Sequence, residues 1–199
     1  MTLRHHKKIS TRQAIVDAAT ELFATRGYEK TTVADIAAAA DIGTRTFFSY
    51  FASKEELLFP QADARVAAAV DAIATRKPGE GPAEVLVRAL REAGASDDDL
   101  VNPLARLRLQ LIRTVPAVRG RGLQIQVDAQ REIARHLRDA YPDELDEVSA
   151  AALVGALIGA VSGALEVLLD DPDAVAGGPE LLKERLRQAT DVALRPWSG

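Results

Sequence analysis

Apolar residues recur at three- and four-residue spacing through nearly the whole of this 199-residue chain. Nowhere do they alternate with polar residues over the length of a strand. A helix turns by about 100° per residue, so this spacing gathers apolar side chains on one face, whereas a half-buried strand needs a period of two. No Asn-Gly or Asp-Gly pair marks a hairpin. The chain is therefore expected to be all-α, with about nine helices.

Capping signals divide the pattern. Ser10 with Gln13, Thr32 with Asp35, and Ser53 with Glu56 each have the spacing of a capping box. In that motif each side chain satisfies a free backbone N–H of the helix start. The first helix is expected to start after Ser10, carry Ile15, Ala18, Ala19, Leu22 and Phe23 on one stripe, and end at Gly27. A short second helix follows Thr32, burying Val33, Ile36, Ala37 and Ala40. A tight turn falls at Asp41-Ile42-Gly43, a third helix covers 44–51, and a fourth runs from Ser53 to about Arg76. Beyond the loop at 78–82, helices are expected near 83–93, 103–114, 117–141, 144–169 and 179–194. Asp97-Asp98-Asp99 reads as a solvated loop.

The third helix carries four of the nine aromatic residues, in the stretch GTRTFFSYF. With Phe47 as origin, Phe51 falls about 40° away, while Arg45, Ser49 and Thr46 fall at about 160°, 200° and 260°. Phe47 and Phe51 can thus anchor the helix while Arg45, Thr46 and Ser49 point outward, with Phe48 and Tyr50 as flanks. Two helices joined by a tight turn, the second with an apolar keel and a polar ridge, describe a helix-turn-helix. The chemistry suits DNA: small hydroxyl residues allow close approach to the groove, and an arginine fork matches the acceptors of guanine.

Charge agrees with that division. Residues 1–54 carry 8 Lys and Arg against 5 Asp and Glu, and residues 55–199 carry 17 against 24. A basic head on an acidic body points to contact with nucleic acid. We therefore expect a DNA-binding domain over 1–54, with a basic N-terminal arm at 1–9, and a second, acidic helical domain over 55–199. Arg4, Lys7 and Lys8 of the arm are placed to follow the phosphates or enter the minor groove, or else form a solvated tail.

Other classes find little support. There is no cysteine, so disulfides and thiolate metal sites are excluded. No phosphate loop, Gly-x-Ser-x-Gly or His-Glu-x-x-His motif occurs, and the reading is a non-enzyme without metal or cofactor. The basic N-terminus lacks the apolar run of a signal peptide. The longest uncharged stretch, residues 149–165, is shorter than a bilayer span and reads as a buried helix. A cytoplasmic protein without membrane contact is expected.

From Arg12 to Leu58 the chain resembles the DNA-binding domain of the TetR family of bacterial regulators. The resemblance rests on AIVDAATELFATRGYEKTTVADIAAAADI and TRTFFSYFASKEELL. It is carried by Phe23, Arg26-Gly27-Tyr28, Thr31-Thr32-Val33, Ile36-Ala37 and Tyr50-Phe51-x-Ser53-Lys54-Glu55. It implies a homodimer on a palindromic double-stranded DNA operator, most often a repressor released by a small molecule, with 55–199 as the ligand-binding and dimerisation domain. Thr44, Arg45, Thr46 and Ser49 match base-facing positions. Thr32 and Tyr50 match positions that often contact phosphate, and Lys54 the lysine after the recognition helix. Two positions depart: Gly43 stands where a Ser or Thr usually caps that helix, and Phe48 where a tyrosine is common. The alternative is a helical small-molecule binding protein with weak or lost DNA binding.

Gly155, Gly159 and Gly163 recur every four residues beside a run of alanines. Each glycine costs about 1 kcal/mol in a helix relative to alanine. A smooth face of this kind suits close helix packing, either within the subunit or across a dimer. The resembled family pairs its last two long helices with those of a partner, which places Gly155, Gly159, Gly163, Leu182 and Leu186 at a dimer interface. An effector pocket is expected among the helices between Ala83 and Leu169. Seven of the nine aromatics lie between Phe23 and Phe59, so that pocket is mainly aliphatic and suits an apolar or amphipathic effector. Arg106, Arg108, Gln110, Arg113, Gln124, Gln126 and Glu166 are its candidate polar contacts.

Overall fold

The computed structural model describes residues 3–96 and 103–194. The described residues form ten α-helices and one 3-10 turn, with no strand among them. Two compact units emerge. The first comprises Met1–Pro60 with Gln110–Arg121, the second Gln61–Leu109 with Gly122–Gly199.

In the first unit, α1 spans Leu3–Arg26, α2 Val33–Ala39 and α3 Thr44–Phe48. Helix α1 ends as expected, with Gly27 at φ 84° and its N–H on the Phe23 carbonyl. It starts earlier than expected. No breaker lies between Leu3 and Ser10, so the helix runs through the Ser10–Gln13 spacing, and Gln13 instead donates to Asp17 at 2.8 Å. The segment expected as an arm at 1–9 is therefore helical from Leu3 onward. The Thr32–Asp35 capping box forms in full and opens α2.

The expected long fourth helix is two pieces. A 3-10 turn, Glu55–Leu58, is followed by a separate α4, Ala62–Ala74. Pro60 explains the break, because proline has no N–H to donate and disfavours helical backbone at the preceding residue. Phe59 accordingly leaves the helical region at φ −128°, ψ 47°. The Ser53–Glu56 spacing caps no long helix, but Glu56 still reaches back to the Ala52 N–H at 2.8 Å. Leu57 and Leu58 are buried with Ile15, Ile36, Phe47 and Phe51, so the 3-10 turn belongs to the first unit.

The remaining helices are α5 Pro82–Ser96, α6 Pro103–Thr114, α7 Pro116–Ala140, α8 Glu147–Asp170, α9 Pro172–Ala176 and α10 Gly178–Leu194. Helix α9 lies between the last two expected helices, where none was expected. Asp171 caps it, accepting the Asp173 N–H at 2.9 Å, and Pro172 stands in its first turn. In the second unit, Leu86 of α5, Leu137 of α7 and Leu153 of α8 share one cluster with Ile73 and Leu194. Leu168 and Leu169 share another with Ala105, Ala174, Leu182 and Leu186. Arg88 grips both oxygens of Glu80, at 2.7 and 3.0 Å, and also the Ala72 carbonyl at 2.8 Å, closing the α4–α5 loop.

Helix α8 is the expected apolar helix, but it is longer than its uncharged stretch and buried on one side only. An 18-residue window within it has mean hydropathy 2.1, and by length and composition alone it could cross a membrane. Ala150, Leu153, Val154, Leu168 and Leu169 are buried, whereas Val148 and Val167 are 76% and 68% exposed. The glycine stripe divides accordingly. Gly155 faces α7, where an added Cβ would meet Gln130 Nε2 at 3.0 Å; at Gly159 and Gly163, apart from the glycine's chain neighbours and the adjoining backbone of α8, none of the described residues comes within 4 Å of that position. Leu182 and Leu186 correct the sequence reading. They are 2% and 5% exposed in the chain's own core, so they are not available to a partner.

Candidate nucleic-acid interface

The turn between α2 and α3 sets the geometry of the site. Asp41 takes the left-handed conformation at φ 53°. Its N–H bonds the Ala38 carbonyl at 3.1 Å, and the Ile42 N–H bonds Ala37 at 2.9 Å. This is a Schellman ending, usually occupied by glycine at the left-handed position. Gly43 does not serve there. It caps α3 at φ −81°, ψ 155°, an extended backbone open to any residue, and provides no side-chain acceptor.

From that start α3 has two faces. Phe47 is wholly buried and Phe51 is 2% exposed, with ring centroids 6.0 Å apart. The Phe51 N–H bonds the Phe47 carbonyl at 3.0 Å, which carries the helical path past the formal end of α3. Thr44, Arg45, Thr46 and Ser49 are exposed, and Tyr50 is half-buried. The Ser49 hydroxyl donates to the Thr46 carbonyl at 2.6 Å, leaving its oxygen as an outward acceptor. The expected keel and polar ridge are therefore both present, brought together on one short helix.

Two cationic clamps tie the segment that follows this helix to α1 and to the α1–α2 loop. The Arg12 guanidinium lies 4.2 Å from the Phe51 ring centre. It donates to the carbonyls of Tyr50 at 3.2 Å and Pro60 at 2.9 Å. Nothing in the sequence pattern singles out Arg12 for this task. Lys54 is the second clamp. Its Nζ sits 4.1 Å over the Tyr28 ring and donates to the carbonyls of Tyr28 and Thr31 at 3.2 and 3.3 Å. The Tyr28 hydroxyl in turn donates to Glu55 at 2.5 Å. Burial raises the Tyr28 hydroxyl pKa above its ordinary value, and the Glu55 carboxylate adds to the rise. At Glu55 burial opposes ionisation, but hydrogen bonds involving Ser53 and Tyr28 outweigh it and hold the carboxyl below its usual range.

Two of the residues matched to the family's DNA-contacting region are engaged within the chain. Lys54 is turned inward and holds the α1–α2 loop. Thr32 is engaged by Asp35 through both its N–H and its hydroxyl, at 2.9 and 2.5 Å. Those bonds hold the Asp35 carboxyl below the ordinary carboxylate range. Thr31, noted only as part of the family pattern, is buried and donates its hydroxyl to the Gly27 carbonyl at 2.9 Å.

The corner between α6 and α7 belongs to this unit. Arg119 donates to the carbonyls of Ile112 and Arg113 at 3.0 and 2.7 Å. Arg121 pairs with one oxygen of Glu56, whose other oxygen holds the Ala52 N–H just past α3. One carboxylate thus joins the start of α7 to the tail of that helix.

The residues expected around an effector are divided between the two units. Arg106, Gln110, Arg113, Gln126 and Glu166 are all exposed. Gln110 and Arg113 fall in the first unit and the other three in the second. Of the wider candidate set, Arg108 is the buried one, at 9% exposure. A groove of about 880 Å³ in the second unit lies at the α4–α5 and α7–α8 loops and involves none of them. Its lining includes Arg76, Lys77, Glu84, Tyr141 and Asp143. Asp97-Asp98-Asp99 and Trp197 lie outside the described residues, as do the side chains of Arg4 and Lys7.

Comparison with known proteins also distinguishes two parts of the chain. Residues 15–59 match the family described as bacterial regulatory proteins, tetR family, and residues 80–193 match the MftR C-terminal domain. The chain is 36% identical over 120 residues to the HTH-type transcriptional regulator TcmR of Streptomyces glaucescens, covering 59% of this chain and 53% of that one. It is 35% identical over 85 residues to the HTH-type transcriptional repressor Rv3405c of Mycobacterium tuberculosis, covering 41% of each. The chain thus spans about half the length, or less, of the curated relatives it matches. Among solved structures, Thermus thermophilus FadR, a TetR-family transcriptional repressor in complex with lauroyl-CoA, is 24% identical with a TM-score of 0.53. That match covers 90% of this chain and 93% of FadR. The SmeT–triclosan complex is 19% identical with a TM-score of 0.62, covering 94% and 91%; SmeT is the repressor of the Stenotrophomonas maltophilia efflux pump SmeDEF. At this identity the likeness concerns the fold. With both parts matched by family patterns, one of which spans more than half of the chain, the protein belongs to the TetR family of bacterial regulatory proteins.

Proposed function

We propose that this chain is a ligand-responsive transcriptional regulator, a repressor that binds a palindromic operator as a homodimer and is released by a small effector. The observation that carries the proposal is the two-sided recognition helix: Phe47 and Phe51 bury one face, while Thr44, Arg45, Thr46 and Ser49 stand exposed on the other. Arg45 reads a base edge, the hydroxyl residues lie along the groove, and Tyr50 donates to phosphate. Lys54 and Thr32 support the helix instead of touching DNA. A palindrome requires two such helices about 34–36 Å apart, or a multiple of that, to lie on one face of the duplex.

The exposed side of α8, with Val148, Gly159, Gly163 and Val167, forms the subunit contact, because an apolar helix face of this length is costly to leave in water. The effector is apolar or amphipathic, in keeping with the aliphatic clusters of the second unit. FadR and SmeT have been captured with lauroyl-CoA and triclosan. An effector acts on DNA binding by shifting the α6–α7 corner, whose Arg121 holds Glu56 at the tail of the reading helix. As a bacterial DNA-binding regulator the protein works in the cytoplasm.

Selection of genomic fragments on the purified protein tests the proposal. Enrichment of a palindrome with half-sites one helical turn apart supports it. Recovery of unrelated fragments, with affinity independent of salt, refutes it, since phosphate contacts release counterions.

A further inference from the structure

Phe48 has no place in the polar ridge or in the core. It is 56% exposed, although the side chain before it is wholly buried. The two rings meet edge to face with centroids 5.4 Å apart, so the Phe48 ring rests on a rigid base. On a helix, residues three and four apart are surface neighbours. Phe48 therefore shares one face with Thr44 and Arg45, both exposed. A phenylalanine offers no donor or acceptor, so at this position it can hold neither a phosphate oxygen nor a polar base edge. The apolar feature that base edges present in the major groove is the C5 methyl group of thymine.

From this placement, and resting on the DNA-binding reading above, we infer that Phe48 is a specificity-determining residue that packs its ring on the 5-methyl group of a thymine beside the base pair read by Arg45. The preference it creates is for a methylated pyrimidine edge and needs no hydrogen bond.

The test uses the full-length protein and an operator recovered by fragment selection, with each thymine of a half-site replaced in turn by deoxyuridine. That exchange removes one methyl group and leaves the hydrogen-bonding pattern intact. One thymine per half-site is expected to matter, its replacement weakening binding about fourfold, the factor that burial of one methyl-sized group gives. Phe48→Ala, whose fold is checked by circular dichroism, is expected to bind the two operators equally, with an unchanged salt slope. If the natural chain binds every deoxyuridine operator as well as the thymine one, the inference is overturned. It is equally overturned if Phe48→Ala loses affinity but keeps the thymine preference, since the ring then packs on sugar or supports the fold. Failure to recover any operator overturns the DNA-binding reading itself, and is distinguishable because no sequence-selective complex forms.

Discussion

Replacing Lys54 by methionine separates a structural clamp from a phosphate ligand. Methionine keeps the apolar stem and removes the ammonium. The structure assigns that ammonium two carbonyl acceptors, at 3.2 and 3.3 Å, and the face of Tyr28 at 4.1 Å. A well-formed hydrogen bond from a charged donor contributes about 1.5–3 kcal/mol, and at these longer, partly solvated distances roughly 1 kcal/mol each. The cation over the ring adds about 0.5–1 kcal/mol. A methionine sulfur against the same ring returns about 0.5 kcal/mol. Lys54→Met should therefore destabilise the first unit by about 2 kcal/mol, read as a lower urea midpoint at unchanged slope.

The second reading of that variant is salt dependence. Removing one phosphate ligand makes the slope of log affinity against log salt shallower by about 0.9. A clamp contributes nothing to that slope, so Lys54→Met should weaken operator binding while leaving the slope unchanged. A variant with unaltered stability and a slope reduced by about one would refute the clamp and make Lys54 a phosphate ligand.

Further outcomes follow from other side chains. Asp35 has a folded pKa below its unfolded value, through its bonds with Thr32, so its contribution is complete above about pH 4 and is lost as pH falls through the folded value. Asp35→Asn should flatten the acid limb of urea midpoint against pH, and an unchanged limb would remove Asp35 from acid unfolding. Leu186→Ala should cost about 2–5 kcal/mol, as core truncations do, and by equal amounts in dilute and concentrated protein; a loss that grows with concentration would return Leu186 to the interface. Gly159→Ala should stabilise the isolated subunit by about 1 kcal/mol through helix propensity and weaken the dimer. Sedimentation of the variant with undiminished dimer affinity would place the subunit contact elsewhere.

Legibility in the sequence follows the range of each interaction. The keel of Phe47 and Phe51, the Thr32–Asp35 cap and the Gly27 stop join residues three or four apart, and a helical wheel contains them in full. The break at Pro60 is equally local, but the apolar pattern on either side of it conceals the proline. The cations are not local. Arg12 meets carbonyls 38 and 48 residues away, and Lys54 meets carbonyls 26 and 23 residues away. A basic residue beside a reading helix looks the same in sequence whether it faces a phosphate or a backbone carbonyl, since both are acceptors.

The apolar stripes carry the same ambiguity in another form. Leu182 and Leu186 on α10, and the glycines of α8, have the spacing of a packed face, and spacing alone does not name the partner. The fold divides them by supply. Leu168, Leu169 and Ala174 lie within reach of α10 and cover its leucines, whereas, apart from chain neighbours and the adjoining backbone of α8, none of the described residues approaches Gly159 or Gly163. A glycine that no neighbour crowds could have been alanine at a gain of about 1 kcal/mol. Its place on an uncovered apolar face is thus an argument for a second surface that comes close, and Gly155, already approached by Gln130, supplies the internal control. Gly155→Ala should disturb the α7–α8 packing whether or not the chain dimerises, so only the two uncovered glycines report on a partner.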